Sequence, residues 1–222
     1  LMTSHGTFIV NGVERVVVPQ LARSFGVQFS VNVIKGKKYF GSKIIPGRGV
    51  WIDIETEADG VIYVRIDNKR KMPISSLLKI FGAKDNKEIE KTFSDIDKGE
   101  INYIKKTIEK DPAKTIEESY IELYKRLRPG EPSDMLGFEN SKNYIDGLFE
   151  PERYDLSLIG RYKLNHRLGM SIDNIKKEPR VISLKDLIAI IREIIKLNND
   201  PLAVEDDIDH LGNRRIRGVG EL

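Results

Sequence analysis

The chain has 222 residues, of which 40% are hydrophobic and 32% charged, and its formal net charge is +3. This length allows one large or two small globular domains, and the small net charge means that any nucleic-acid affinity must come from local basic patches. The absence of cysteine excludes disulfides, thiolate metal sites and cysteine nucleophiles. No apolar run approaches the roughly 18 residues of a membrane helix, and no signal-peptide pattern opens the chain, so we expect a cytoplasmic protein without a membrane partner.

The first seventy residues have the pattern of short β-strands. Runs rich in β-branched and aromatic residues, such as GTFIVNGVERVVV, KKYFGSKII and GVIYVRID, alternate with Gly, Asn and Pro turns. The GRG of PGRGVW lacks the third glycine of a dinucleotide fingerprint and is typical of a hairpin turn. The segment KMPISSLLKIFG then predicts a helix with Pro73 at its first position and Gly82 at its end.

Helical periodicity dominates the remainder of the chain. Capping-box spacing marks three helix starts, which are Asp85 with Glu88, Thr115 with Glu118 and Ser183 with Asp186. The second helix is predicted from Thr115 to about Arg128. After Ser183, an apolar stripe predicts a long helix that ends between Asn198 and Pro201. The members of that stripe are Leu184, Leu187, Ile188, Ile191, Ile194 and Ile195.

Both ends of the chain have a strand-like pattern. RRIRGVGEL alternates charged and aliphatic residues, as the opening GTFIVNGVERVVV also does in part. Strands without partners would leave unpaired backbone groups, so the two ends are expected to lie together and to join a neighbouring sheet. The predicted class is α+β, with short mixed or antiparallel strands in the N-terminal third, a helical middle and C-terminal part, and terminal strands returning to a neighbouring sheet.

The segment DDIDHLGNRRIR carries the densest opposite charges of the chain. Its acids and His210 could hold a metal ion or act as an acid/base pair, although neither His5 nor His166 adds a metal-ligand spacing. The acids could instead pair with Arg214, Arg215 and Arg217. A third interpretation is that a carboxylate accepts hydrogen bonds from a nucleic-acid base while neighbouring arginines contact phosphates.

Two other stretches allow both a structural and a binding interpretation. Trp51, the single tryptophan, fits a core position or a stacking platform for an unpaired base. RIDNKRK, from Arg65 to Lys71, is a basic cluster directly after a strand, and it could be solvated surface or a phosphate-contacting end of a sheet. No catalytic triad, phosphate loop or spaced metal motif is present in the sequence, so the pattern predicts no catalytic residue and no metal ligand.

Six blocks together resemble the β subunit of bacterial DNA-directed RNA polymerase, in the order of that family and over nearly the whole chain. The blocks are GTFIVNGVERVVVPQLARSFGVQF, IIPGRGVWIDIE, VRIDNKRKMPISSLL, LYKRLRPGEP, RYDLSLIGRYKLNHRLG and DDIDHLGNRRIRGVGEL. The matching part is the lobe, with flanking strands that enter the adjoining protrusion. The resemblance implies a strand segment over 1–20 at the junction of protrusion and lobe, the lobe over 21–205, and a return segment over 206–222.

The resemblance also implies roles for individual residues. Asp209 matches an aspartate that hydrogen-bonds an unpaired guanine of the non-template strand, and Trp51 matches a tryptophan that stacks on a neighbouring base. Residues 23, 208 and 214 match residues that line the same pocket. Lys69 and Arg70 match residues that face the DNA backbone, and Gln20 matches a position at the edge of the rifamycin pocket. The full set of predicted site residues is Gln20, Arg23, Trp51, Lys69, Arg70, Ile208, Asp209 and Arg214.

By the same resemblance, the chain is a wall of the downstream DNA cleft in a cytoplasmic, nucleoid-associated polymerase. The implied partners are downstream duplex DNA, the non-template strand, the α, β′ and ω subunits, the rest of β, and σ factor. No cofactor is expected in this segment, because the Mg²⁺ of the family is bound by β′ and the catalytic lysines of β lie far toward its C-terminus. The alternative function is a protein-interaction module that docks σ factor or transcription regulators.

Overall fold

The computed structural model describes residues 2–130 and 137–222, so Glu131 and Pro132 of the LYKRLRPGEP block lie outside the described residues. Within those ranges it contains seven α-helices and nine β-strands, with antiparallel pairing throughout. The predicted α+β class is confirmed. The chain divides into two compact units, of which the smaller is Leu1–Ser24 with Asp207–Leu222 and the larger is Phe25–Asp206.

The smaller unit consists of two two-stranded sheets. β1 (Phe8–Val10) and β2 (Val13–Arg15) form a hairpin around Asn11 and Gly12, which both have positive φ, as the twist of a tight two-residue hairpin requires. β3 (Gln20–Arg23) pairs with β9 (Arg214–Arg217) from the other end of the chain. RRIR of the predicted C-terminal strand thus does pair with the N-terminal part of the chain, but its partner is Gln20–Arg23. The predicted opening strand GTFIVNGVERVVV instead folds back on itself as the β1–β2 hairpin.

The larger unit is built on one five-stranded antiparallel sheet whose strands follow chain order. These strands are β4 (Gly26–Ile34), β5 (Lys37–Ile45), β6 (Ile52–Thr56), β7 (Ile62–Ile66) and β8 (Met72–Pro73). Side chains alternate between the two faces of a strand, so Ile52 and Ile54 enter the core from β6 while Asp53 and Glu55 lie on the other face. Removing the apolar rows from water is the main stabilising contribution of this sheet.

Seven helices complete the larger unit. They are α1 (Ile74–Ile80), α2 (Asn86–Phe93), α3 (Tyr103–Lys110), α4 (Ile116–Leu127), α5 (Phe138–Leu148), α6 (Ser157–Arg167) and α7 (Leu184–Asn199). Short 3₁₀ turns lie at Ile175–Lys177 and, in the smaller unit, at Leu211–Asn213. Among the helices of the described ranges, none is both long and apolar enough to span a bilayer.

The starts of α2, α4 and α7 lie at the predicted caps, and the starts of α2 and α1 differ from the prediction in detail. Complete capping boxes form at Thr115 with Glu118 and at Ser183 with Asp186. Asp85 caps α2 by accepting from the Glu88 N–H, but the Glu88 carboxylate accepts from Lys84 N, at 2.7 Å, instead of closing the box. Pro73 has the extended ψ of 140° and is the residue before the first helical one, so α1 begins at Ile74.

The predicted apolar stripe of α7 is confirmed. Leu187, Ile191, Ile194 and Ile195 are completely buried, and α7 packs against β5. The helix ends at Asn199, within the predicted boundary, and the Asn198 side chain accepts from Phe40 N at 2.8 Å. This contact ties the end of α7 to the sheet.

Two buried ion pairs lie beneath the helices. Lys79 Nζ of α1 is 3.2 Å from Asp111 Oδ2, and both side chains are fully inaccessible to solvent. Arg161 of α6 donates to both carboxylate oxygens of Asp186, at 2.7 and 3.1 Å. A buried charge is tolerated when it is paired and further hydrogen-bonded, and both pairs meet this condition. Asp186 also accepts from Ser183, so it joins the cap of α7 to α6.

Candidate functional site

Trp51 lies at the end of the connection between β5 and β6 and is 40% exposed. Its carbonyl accepts from Asp67 N at 2.9 Å, which joins it to the loop between β7 and β8. Lys43 Nζ lies 5.7 Å from the centroid of the indole ring. Of the two interpretations of Trp51, the structure excludes a core position, because a large part of the indole remains open to solvent.

The GRG turn before Trp51 is hydrogen-bonded to the segment that precedes α6. Gly47 N and Arg48 N both donate to the Asp155 carbonyl, at 2.8 and 3.0 Å, and the predicted hairpin turn is confirmed. Gly49 has φ +113°, and a Cβ at this position would lie 2.8 Å from Tyr154 Cδ2. Glycine is therefore required here both for the backbone conformation and for the close approach of Tyr154.

We expect Gly49→Ala to destabilise the chain by about 1–3 kcal/mol and to displace Trp51, because the new methyl group must move Tyr154 or the turn. Urea unfolding followed by the fluorescence of the single tryptophan measures both effects. Gly130→Ala is the matched control for positive φ, since none of the residues that the structure describes lies within 4 Å of its Cβ position. Unchanged stability and emission in the Gly49→Ala variant would contradict the assigned role of Gly49.

Lys69 and Arg70 lie in the loop between β7 and β8, on the rim of an open concavity of about 690 Å³. We call this concavity the basic groove. Its lining residues are Arg65, Lys69, Arg70, Lys71, Glu122, Lys125 and Arg126. The sequence does not predict the contribution of α4, because Lys125 and Arg126 come more than fifty residues after the loop. The only sequence signal for this contribution of α4 to the groove is the pair of basic residues in its last turn.

The cations of the basic groove fall into two classes. Arg65 pairs with Glu55 at 2.8 Å, Lys71 pairs with Glu57, and Arg126 pairs with Glu122. Lys69, Arg70 and Lys125, by contrast, pair with no carboxylate among residues 2–130 and 137–222. The groove therefore combines three fixed cations with three that remain available for a ligand.

In the smaller unit, the predicted residues surround the β3–β9 pair. Asp209 forms an ion pair with Arg214, whose Nε also donates to the Ile208 carbonyl at 3.3 Å. Arg23 lies directly opposite Arg214 in the strand register, and Gln20 lies opposite Arg217. Of the three interpretations of this segment, pairing between acids and arginines is thus observed for Asp209 and Arg214. The Asp209 side chain nonetheless remains 83% exposed, so its carboxylate is accessible to a ligand.

The other acids of the run serve different purposes. The Asp206 carboxylate accepts from Phe29 N at 2.8 Å and from Arg167 Nε at 2.9 Å, while Glu205 accepts from Val31 N at 3.0 Å. Both acids therefore satisfy the free edge of β4. Asp207 instead accepts from Asp209 N at 2.9 Å and so shapes the turn that presents Asp209.

Arg215 and Arg217 are held by Glu221. Arg215 donates to both Glu221 oxygens, at 2.6 and 2.7 Å, and Arg217 Nε donates to one of them at 3.2 Å. The hydrogen bonds from Arg215 lower the pKa of Glu221 to about 2. Among the three arginines of this strand, two therefore share one carboxylate, that of Glu221, which the charge pattern did not single out.

The lowered pKa of Glu221 gives a direct test. Its carboxylate should titrate near pH 2 in the folded chain, and Arg215→Met should move the pKa back toward the ordinary glutamate value. The stabilising contribution is present above the ordinary pKa and is lost as the pH falls through the folded value. Side-chain carboxyl NMR shifts measured against pH provide the readout. An ordinary pKa in the unmodified chain would contradict the bidentate pair.

The structure thus places the predicted residues in two sets. Trp51, Lys69 and Arg70 lie together in the larger unit, and Gln20, Arg23, Ile208, Asp209 and Arg214 lie together in the smaller one. Across the described part of the chain, no group of three or more histidine or acidic residues is arranged to hold a metal ion. Each set by itself is suited to binding phosphates and bases.

Comparison with known proteins gives the family of this fold. The family model described as RNA polymerase Rpb2, domain 2, matches residues 24–217. The β subunit of DNA-directed RNA polymerase from Synechocystis sp. is 43% identical over 223 aligned residues, which are the whole of this chain and 19% of that protein. The corresponding subunits of Gloeobacter violaceus and Dehalococcoides mccartyi are both 44% identical over the whole chain and 19% and 17% of their own lengths.

The chain therefore spans about a fifth of the length of the curated relatives that it matches. The predicted resemblance is confirmed, and it rests on full coverage of the chain by these relatives together with a family model that covers nearly all of it. The chain belongs to the RNA polymerase β-subunit family, as a segment that corresponds to Rpb2 domain 2.

Proposed function

We propose that this segment is the lobe of a DNA-directed RNA polymerase and forms one side of its downstream DNA cleft. In this role it contacts duplex DNA and the separated non-template strand during RNA synthesis, and it makes or breaks no covalent bond. The observation that carries the proposal is the exposed Asp209 carboxylate, with its arginine partner, on a segment of a polymerase β subunit. Its neighbours would be the α, β′ and ω subunits, the rest of β, and σ factor, at the nucleoid.

The chemistry of Asp209 fits the recognition of an unpaired guanine. A carboxylate accepts from the N1–H and N2–H groups of guanine, which adenine and the pyrimidines do not present in the same pattern. Arg214 occupies one carboxylate oxygen and orients the group, and Arg23 and Arg214 place positive charge beside it for the phosphates. Gln20, on the same strand as Arg23, is proposed to lie at the edge of the rifamycin pocket.

In the larger unit, Trp51 supports a second type of contact. Its exposed ring offers a stacking surface to any unpaired base, a contribution of about 1–3 kcal/mol per base. The hydrogen bond from Asp67 N to the Trp51 carbonyl links this ring to the loop of Lys69 and Arg70. A base platform and phosphate-binding cations at the same end of neighbouring strands are what a strand leaving a duplex requires.

The test is Asp209→Ala in the complete polymerase. Guanine preference at one non-template position, measured by competition between DNA templates that differ at that base, should fall by about tenfold, in line with one lost base contact. Nucleotide addition should persist, because the segment touches no reacting atom. Asp173→Ala, which removes an exposed acid in the larger unit, is the matched control. An unchanged preference in the Asp209 variant would count against the role of this residue.

A second function, docking of σ factor or a transcription regulator, is favoured by the open edges of the smaller unit. Each of its two sheets has only two strands among the described residues, and Val10, Val13, Leu21 and Ile216 expose more than a third of their surface. Such edges suit the addition of a strand from a partner. Binding to bubble-containing DNA that weakens with salt supports the first function, whereas capture of a regulator that is insensitive to salt supports the second.

A further inference from the structure

The described residues that line the basic groove are all charged, six cations and one carboxylate. Pockets for small organic ligands are mostly apolar with a few polar groups, so this lining is unsuited to such a ligand. It also contains no aromatic ring on which an unpaired base could stack. What remains is a ligand that presents several phosphates and no accessible base, which is the outer surface of a nucleic-acid duplex.

We infer that Lys125 and Arg126 of α4 act with Lys69 and Arg70 as one duplex-binding groove, and that Glu122 limits its affinity. This inference rests on the proposed function, because it adds two residues of α4 to the duplex contact that the proposed function includes. The two walls of the groove are physically joined, since Arg126 Nε donates to the Lys71 carbonyl at 2.9 Å. This hydrogen bond links the helix end to the basic loop.

Lys125 and Arg126 have different roles within the groove. Lys125 is exposed and has no carboxylate partner among the described residues, so its side chain can adjust its position to contact a phosphate. Arg126 is held by the Glu122 carbonyl at 3.0 Å, by the Glu122 carboxylate and by Lys71, and a fixed guanidinium loses little freedom on binding. The Arg126 donors that these contacts do not use are therefore held in a fixed position from which they can bind a phosphate.

Glu122 is the one carboxylate of the groove lining, and it has two effects on a bound phosphate. It repels the phosphate directly, and it neutralises part of the charge of Arg126. Both effects weaken binding without altering the shape of the groove. A polymerase must move along its template, and a moderate affinity for each backbone position permits that movement, so Glu122 is an affinity-determining residue.

The inference is tested on the 222-residue segment with a short blunt DNA duplex, whose dissociation constant is measured against salt concentration. Each lost phosphate contact should reduce the magnitude of the slope of log K against log salt by about 0.9, where K is the binding constant for the duplex. Lys125→Gln should lower it by about one contact, and Lys125→Gln with Arg126→Gln by up to two. Glu122→Gln should instead raise the affinity for the duplex about two- to fivefold, because it removes one exposed negative charge that repels the phosphates.

Controls separate a local effect from overall charge. Lys87→Gln with Lys91→Gln removes the same charge from another concave surface, on α2, and should leave the slope unchanged. Thermal unfolding checks that the Arg126→Gln variant is folded. If that variant is unfolded, the salt slope of Lys125→Gln alone still tests the inference. Inorganic tripolyphosphate should compete poorly with the duplex. Competition at equal affinity would assign the groove to compact polyphosphates and overturn the inference.

The outcomes distinguish this inference from the proposed function. If Lys69→Gln with Arg70→Gln lowers the slope while Lys125→Gln with Arg126→Gln does not, the assignment to α4 is wrong and the proposed function stands. An equal loss in the Lys87 and Lys91 control would also overturn the α4 assignment. If the unmodified chain binds no duplex at low salt, the inference fails, whereas the proposed function is decided by the Asp209→Ala test in the complete polymerase.

Discussion

Asp186→Ala is expected to lower the free energy of unfolding by about 3–5 kcal/mol, because it leaves the buried guanidinium of Arg161 without its counter-ion. The same substitution removes the N-cap partner of Ser183, which is worth about 1 kcal/mol at a helix start. Small domains are stable by only about 5–15 kcal/mol, so a large fraction of the chain should be unfolded at moderate urea concentrations.

Circular dichroism during urea unfolding measures this loss. Asp173→Ala, which removes an exposed acid, is the control and should change stability by no more than about 0.5 kcal/mol. The double variant Arg161→Met with Asp186→Leu should recover part of the loss, since a buried pair replaced by apolar residues leaves no lone charge. A loss below about 1 kcal/mol in Asp186→Ala would show that Arg161 finds another partner.

Asp111→Ala is expected to have a comparable effect, about 3–5 kcal/mol, through the second buried pair. The Asp111 carboxylate accepts from Ser75 Oγ at 2.6 Å, Ser76 Oγ at 2.7 Å and Ala113 N at 3.0 Å, besides Lys79. Without it, the Ala113 carbonyl is the one acceptor that the Lys79 ammonium keeps within the described part of the chain. A buried ammonium with one neutral acceptor is poorly compensated.

The hydrogen bonds of this cluster also predict an asymmetry. Lys79→Met should cost less than Asp111→Ala, because Asp111 would retain three donors whereas Lys79 would retain one acceptor. Both variants can be compared in the same urea series, with Lys98→Met as an exposed lysine control. Equal losses for the two variants would show that the serine hydroxyls contribute little.

Local signals in the sequence identify the starts of α2, α4 and α7 and the buried face of α7. Capping at Ser183 and Thr115 depends on contacts within three residues, and the α7 stripe depends on helical periodicity alone, so neither needs knowledge of the tertiary fold. The helix start predicted at Pro73 is one residue too early, because the extended conformation before α1 is set by the strand pairing of Pro73 with Tyr63. Boundaries of this kind depend on neighbours that the local sequence does not contain.

The candidate site is only partly predictable for the same reason. The pairing of Asp209 with Arg214 involves residues five apart and is among the interpretations of the charge pattern. The exposure of Trp51 does not follow from the sequence, because a tryptophan beside a strand fits either environment until the packing around it is known. The approach of Lys125 and Arg126 to the basic loop depends on how α4 packs in the fold, which periodicity does not specify.

The β3–β9 pair has a consequence for synthesis on the ribosome. Arg23 meets its partner Arg214 only after about 190 further residues have been made, and at about 5–20 residues per second this takes roughly ten to forty seconds. During that interval the nascent β3 has an unsatisfied edge, while the intervening segment can already fold. A chaperone that shields short extended segments near the exit tunnel would protect this strand until translation reaches its partner.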